Sequence, residues 1–321
     1  MSLPSSIPIY IIDAFAAEKF TGNQAAVCLL NKVLTDEQYQ KIGAEFNLAE
    51  TAFPIPLDAD DYTNARRFSL RWFTPAVEVP LCGHATLATA HAILNETGNK
   101  NKTIEFETKS GRLEVKRSLE IKGYLTMNFP TYPMVALDAD NWPKGLRAES
   151  FEKTGVAPEF VKKLATTISC GHNILAIVHC PTAPNLIVML DNMSRQEFES
   201  IKPPIDKLID IYNGGDYLKG IIITMRCSET SGLTDCNERQ YDFASRYFCP
   251  WFFDGFDEDP ATGYAHCCVT PFWGKVFGKN KFYARQCYPG RGAEFHLELC
   301  GNGRLNLTGQ AITVIRGEMI L

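Results

Sequence analysis

No block of lysine or arginine interrupts this 321-residue chain, no apolar run approaches the roughly 18 residues that cross a bilayer, and no low-complexity tract appears. Each absence removes a class of function. With a formal net charge of −5 and no basic stripe, the chain has no electrostatic footprint for nucleic acid or an anionic membrane surface. Its opening, Met1-Ser2-Leu3-Pro4-Ser5-Ser6, lacks the positive segment and apolar core of a secretory leader, so a soluble, cytoplasmic protein is expected. A disulfide framework is also missing, because the 11 cysteines are odd in number and scattered, as reduced thiols are. Apolar residues are plentiful. At 45% hydrophobic and 11% aromatic, the chain can bury a large core, and its length argues for two domains.

The most informative feature is an internal repeat. Arg71-Trp72-Phe73-Thr74-Pro75 leads to Gly83-His84-Ala85, and Arg246-Tyr247-Phe248-Cys249-Pro250 leads to Gly263-Tyr264-Ala265. The offset grows from 175 positions (71 to 246) to 180 (83 to 263). A weaker echo sets Asn23-Gln24-Ala25-Ala26-Val27 beside Asn173-Ile174-Leu175-Ala176-Ile177. Each copy reads as a strand, a variable middle, an amphipathic strand, a loop and a glycine-started helix. Two facing copies would form a cleft lined by two helix N-termini, where backbone N–H groups favour an anion.

Strands are predicted at Pro8 to Phe15 and Ala25 to Leu30, about a turn at Thr21-Gly22-Asn23. Thr35-Asp36-Glu37-Gln38 is a capping box that opens a helix through Phe46, with Asn47 as a left-handed stop. A strand follows at Phe68 to Phe73, then a small-residue helix from Gly83 to about Asn95, a hairpin about Ser110-Gly111 and a strand at Tyr124 to Phe129. Pro130, Pro133 and a weakly patterned stretch to about Pro158 mark the crossing into the second half. That half offers a helix near Glu159 to Ala165 and strands at Ile174 to His179, Leu186 to Leu190 and Ile221 to Met225. Its glycine-started helix runs toward Phe277, and Pro271 is expected to kink or break it. Four closing strands, ending with Ile312 to Ile315, complete the chain.

Three side chains stand out chemically. Glu50 lies in the apolar run Asn47-Leu48-Ala49-Glu50-Thr51-Ala52-Phe53, where burial would raise a carboxyl group's pKa and suit it to proton transfer near neutrality; alternatively it is fixed by backbone donors at a strand start. His84, in Leu81-Cys82-Gly83-His84-Ala85-Thr86, occupies a first helical turn, whose positive end should leave the ring neutral. Cys82 at the same N-terminus is either an activated thiolate or an inert buried thiol. Asp259, in Glu258-Asp259-Pro260-Ala261-Thr262-Gly263-Tyr264, is the counterpart in the second copy and either orients a partner such as His84 or makes a turn.

Two patterns imitate other sites. Cys170, His172, His179 and Cys180 resemble zinc ligands, but a strand between them would be about 20 Å long at ~3.3 Å per residue, so its ends cannot meet one ion. Cys300-Gly301-Asn302-Gly303-Arg304 resembles a phosphate loop, yet sits between two strand patterns as a hairpin turn. No metal or other cofactor is expected.

With these residues in place, the chain resembles the family named for the phenazine-biosynthesis isomerase (PhzF), within the diaminopimelate-epimerase fold, and especially the animal phenazine-biosynthesis-like domain proteins. The similarity rests on Asp13-Ala14-Phe15, Thr21-Gly22-Asn23, Asn47-Leu48-Ala49-Glu50-Thr51, Cys82-Gly83-His84-Ala85-Thr86 and Glu258-Asp259-Pro260-Ala261-Thr262-Gly263, in that order. It implies an α+β fold of two pseudo-symmetric lobes, residues 1–130 with 308–321 and residues 131–307. Each lobe would be a curled, mostly antiparallel sheet around a central helix, with the active site in the cleft between them. It also implies a cofactor-independent isomerase acting on a small cyclic carboxylate, and a homodimer. Glu50 would move the proton, aided by His84 and Asp259, with Asn23, Cys82, Gly83, Thr86, Thr262, Gly263 and Tyr264 lining the substrate site. The family's serine after the second glycine is Tyr264 here. Proline-racemase-like enzymes of the same fold use two facing cysteines. Their first falls on Cys82 and their second on Thr262, which disfavours symmetric racemisation and leaves a one-base epimerase- or dehydratase-like route through Cys82 as the enzymatic alternative. A non-catalytic ligand-binding or scaffold protein is the other.

Overall fold

A computed structural model describes residues 6–251 and 257–320; the leader reading of Met1 to Ser5 lies outside them. The chain forms two compact units, residues 1–129 with 306–321, and residues 130–305. The first contains β1 (Ser6–Ala14), β2 (Asn23–Cys28), α1 (Asp36–Phe46), β3 (Glu50–Pro56), β4 (Arg67–Phe73), β5 (Glu78–Val79), α2 (Gly83–His91), β6 (Thr103–Thr108), β7 (Gly111–Arg117) and β8 (Leu125–Pro130). In the second are β9 (Val135–Leu137), β10 (Thr154–Gly155), α3 (Glu159–Ile168), β11 (Ile174–Cys180), β12 (Asn185–Leu190), α4 (Arg195–Ser200), α5 (Ile205–Ile211), β13 (Gly220–Arg226), β14 (Phe243–Phe248), β15 (Glu258–Asp259), α6 (Gly263–Phe277), β16 (Lys281–Gln286) and β17 (Ala293–Cys300). The chain returns through β18 (Arg304–Gly309) to β19 (Ala311–Ile320), which pairs antiparallel with β1.

Both units are α+β and repeat one wiring. In the first, β1–β2 is antiparallel, β2–β3 parallel, β3–β4 and β4–β5 antiparallel, β4–β6 parallel and β6–β7 antiparallel. In the second, β11–β12, β12–β13, β13–β14, β14–β15, β14–β16 and β16–β17 follow the same succession. This register corrects the weaker sequence echo. Ala25 faces Glu50 where Asn185 faces Gly220, so β2 corresponds to β12, whereas Asn173 leads into β11, the counterpart of β1. Two runs of small apolar residues resembled each other because both feed buried strands, not because they share a place.

In the first unit, the Thr35 hydroxyl accepts the Gln38 N–H and the Gln38 side chain accepts the Thr35 N–H, so α1 starts on a full capping box. It ends at Asn47, whose φ of 49° is left-handed. Its Tyr39 packs on Phe53 and Phe73. α2 is buried from His84 through Ala90 and packs on β1, β2, β3 and β19, which its alanines permit by letting strands approach closely. Its end widens into a π-type turn at Ala92–Glu96.

α6 plays the same part in the second unit, packing on β12, β13 and β17. Of the kink or break expected at Pro271, the break does not occur: α6 stays helical to Phe277, with Gly278 at φ 67° as its stop. Burial of Val269, Phe272 and Trp273 holds the helix on both sides of the proline and offsets the lost backbone bond. No helix among the described residues is long and apolar enough to cross a membrane.

Candidate functional site

The nominated residues fall into one group in each unit. In the first, β2 opens with Asn23, β3 opens with Glu50, and α2 opens with Gly83 and His84 after Cys82. Because β2 and β3 are parallel, with Ala25 opposite Glu50, the starts of both strands sit together, and α2 packs on both. The result is a compact cluster with almost no solvent contact: the Glu50 and His84 side chains are 6% and 5% exposed.

Nε2 of His84 lies 3.0 Å from Oε2 of Glu50, and among the described residues neither atom has another hydrogen-bond partner. At the other ring nitrogen, Nδ1 lies 3.3 Å from the Asn23 amide nitrogen and 3.4 Å from the Cys82 sulfur. The Thr86 hydroxyl turns back to the Cys82 carbonyl at 2.5 Å, within its own helix.

The charge of His84 departs from the sequence expectation. Burial works against the imidazolium, but the charges of Cys82 and Glu50 and their hydrogen bonds work for it, and the balance holds the ring well above the usual histidine range. A unit charge 3.0 Å away outweighs the partial charge of a helix end. Cys82 departs from the thiolate reading. Burial, then the Glu50 charge, pushes its thiol up to about 11, so it is uncharged near neutrality.

Glu50, Cys82 and His84 also place donor atoms within 4.8 Å of one another, the geometry of a possible metal cluster. The thiol approaches Nδ1 and the carboxylate Nε2. A metal ion takes one imidazole lone pair, whereas these two donors address opposite nitrogens, an arrangement that suits hydrogen bonding to the ring.

In the second unit the Asp259 carboxylate accepts the Thr262 hydroxyl at 2.5 Å, and its carbonyl accepts the Gln286 amide at 2.6 Å. Gln286, buried in β16, also accepts the Thr262 N–H at 2.8 Å and so clamps the start of α6 before Gly263. Tyr264 packs edge-on against Tyr132 with ring centroids 5.8 Å apart, and burial pushes its phenol above its usual range.

Sequence reasoning missed Gln286, which carries no local signal. It also missed two ion pairs for which a signal existed: Glu78 and Glu258 each stand five positions before the helix-opening glycine, and each pairs bidentately with the arginine of its repeat, Arg71 or Arg246.

Three comparisons bear on this arrangement. A family model described as phenazine biosynthesis-like protein matches residues 12–317. A human phenazine biosynthesis-like domain-containing protein is 37% identical over 98% of this chain and 99% of its own length. A protein of Halalkalibacterium halodurans, named only as an uncharacterized isomerase, is 35% identical over 98% of both chains. Among solved structures, a putative phenazine biosynthesis PhzC/PhzF protein from Clostridium difficile superposes with a TM-score of 0.75 at 31% identity, covering 98% of this chain and all of that one.

Proposed function

Because the chain belongs to the phenazine biosynthesis-like protein family, we propose that it is an isomerase that moves a proton within a small cyclic carboxylate without a cofactor. The isomerase name of a bacterial relative supports the reaction class. The observation that carries the reading is the buried approach of Glu50 to His84 at 3.0 Å. A carboxylate enclosed with an imidazole, away from water, is a positioned acid–base group.

In this reading the ionised Glu50 takes a proton from a ring carbon of the substrate and becomes the carboxylic acid. It then returns that proton to another carbon of the same conjugated system. Mass and oxidation state are unchanged. The electron pair left behind spreads onto the substrate carboxylate, and the His84 imidazolium stabilises that enolate-type charge. The positive end of α2 at its first turn suits the same carboxylate. The resemblance also nominates Asp259, whose contribution the Asp259→Asn variant measures.

Solvent-deuterium exchange into a panel of cyclic carboxylates tests the proposal. Glu50→Gln should lower exchange about 10²- to 10⁴-fold. Cys82→Ser should leave most of it, consistent with a thiol pushed up to about 11. Exchange that survives in Glu50→Gln and vanishes in Cys82→Ser would replace this reading with a cysteine-based epimerase or lyase. No exchange with any acid, and no rise in melting temperature with any of them, would favour a scaffold.

A further inference from the structure

Nδ1 of His84 has two neighbours of opposite character. The Asn23 amide nitrogen, 3.3 Å away, only donates; the Cys82 sulfur, 3.4 Å away, also accepts. In the neutral ring that carries its proton on Nε2, Nδ1 accepts; in the imidazolium, Nδ1 donates. A donor alone suits one state and an acceptor alone the other, so a buried ring that stays partnered on both sides of its titration needs both. We infer that Asn23 and Cys82 are positioning residues that serve Nδ1 of His84 in its two charge states, the Asn23 amide donating to the neutral ring and the Cys82 sulfur accepting from the imidazolium.

The surroundings of the ring support this division. Asn23 is 3% exposed at the start of β2, and Cys82 is 7% exposed just before α2, so neither is a surface group that water could replace. The ionisable groups acting on the ring are Cys82 from the loop before α2 and Glu50 from β3. On neighbouring β1, the buried Asp13 carboxylate is engaged by the Phe20 N–H at 2.7 Å. A cysteine at position 82 thus has a use that requires no thiolate: its sulfur is a soft acceptor for the N–H of the protonated ring. Nε2 is left facing the Glu50 carboxylate at 3.0 Å.

The inference rests on reading Glu50 and His84 as one acid–base site, yet it can be read without substrate. The experiment is an NMR titration of the ¹⁵N-labelled His84 ring in the full chain, assigned through His84→Gln. Removing the donor, in Asn23→Leu, should shift the titration midpoint upward. Removing the acceptor, in Cys82→Ala, should shift it downward, and Cys82→Ser, which retains an acceptor, should return it close to wild type. Deuterium exchange should fall about three- to tenfold in Asn23→Leu and Cys82→Ala, with the pH profile displaced in the same two directions. Midpoints that move together, or stay fixed in both, overturn the inference, as does Cys82→Ser behaving like Cys82→Ala. The wild type alone gives a check that survives a variant failing to fold. Above its midpoint the ring should carry its proton on Nε2, and a neutral ring protonated on Nδ1 refutes the assignment. Absence of exchange with every acid would sink the isomerase reading and leave the ring titration intact.

Discussion

The two units place the same arginine fork at the same point of the same wiring, but not the same titratable side chains beside it. Arg71 grips Glu78 at 2.8 and 2.7 Å, and Arg246 grips Glu258 at 2.7 Å through both nitrogens. Each guanidinium lies 5.0 Å from the ring of the phenylalanine two residues on, Phe73 or Phe248. Around this common frame the units diverge. Phe73 faces Thr51 and Phe248 faces Ile221, so the position of Glu50 is taken in the second unit by Gly220. A side chain at Gly220 would overlap the phenol of Tyr247. The position of His84 is taken by Tyr264. What recurs is the frame that fixes two strands against a helix. The carboxylate and imidazole do not recur, which is why a proton-transfer role is assigned to the first unit's cluster.

Substitutions in matched positions test this contrast. The largest effect is expected at the arginines. Arg246, 2% exposed, also donates to the carbonyls of Phe198 and Ile201, so Arg246→Ala strands a buried carboxylate and two carbonyls and should cost about 3–5 kcal/mol. Arg71 is 24% exposed, and Lys109 also reaches Glu78, so Arg71→Ala should cost about 1 kcal/mol. Urea denaturation of the two variants measures the difference, and equal losses would show that burial does not separate the two forks. Next comes Gly220→Ala, expected to destabilise by about 1–3 kcal/mol through overlap with Tyr247. Loss of stability at position 220 beside loss of exchange at position 50 would set frame against chemistry.

The smallest effect is in pH dependence, where His84 of α2 and His266 of α6 act with opposite sign. Burial holds His266 on α6 down to about 4, against an unfolded value near 6.5. The unfolded chain binds that proton first, so the contribution of His266 is full above about pH 6.5 and is lost as pH falls toward 4. Between pH 7 and 5 the loss should be about 1–2 kcal/mol and should shrink in His266→Leu. His91, also near 4 through burial, acts in the same direction in the first unit. His84 lies above its unfolded value, so its contribution is full below about pH 6.5 and is lost as pH rises through the folded value. His84→Gln should flatten that alkaline limb. Urea midpoints across pH that respond identically to both variants would remove the contrast.

Much of the fold was legible because local and tertiary demands agree. The capping box at Thr35 and the stop at Asn47 bracket α1, and the Ser110-Gly111 turn joins β6 and β7. Illegible elements owe their form to distant partners. β5 and β15 are two residues long and exist because β4 and β14 offer an edge. α4 and α5 are 6 and 7 residues, too short for a periodic signal, and α5 starts after Pro204 without a side-chain cap. At the site, motif order nominated Glu50 and His84. The charge on His84 and the neutrality of Cys82 were out of reach, because both depend on which groups share a buried volume, which sequence spacing does not report.

The tyrosine lying over Gly220 also limits how this molecule can change. An acid cannot be installed in the second unit by one substitution, since the space is occupied and the phenol of Tyr247 is anchored to Asn185 at 3.1 Å. A route to a two-acid descendant would first have to trim residue 247 and bear the resulting void, and only then enlarge residue 220. With no gain at the intermediate step, the asymmetry between the halves is one that drift alone will seldom reverse.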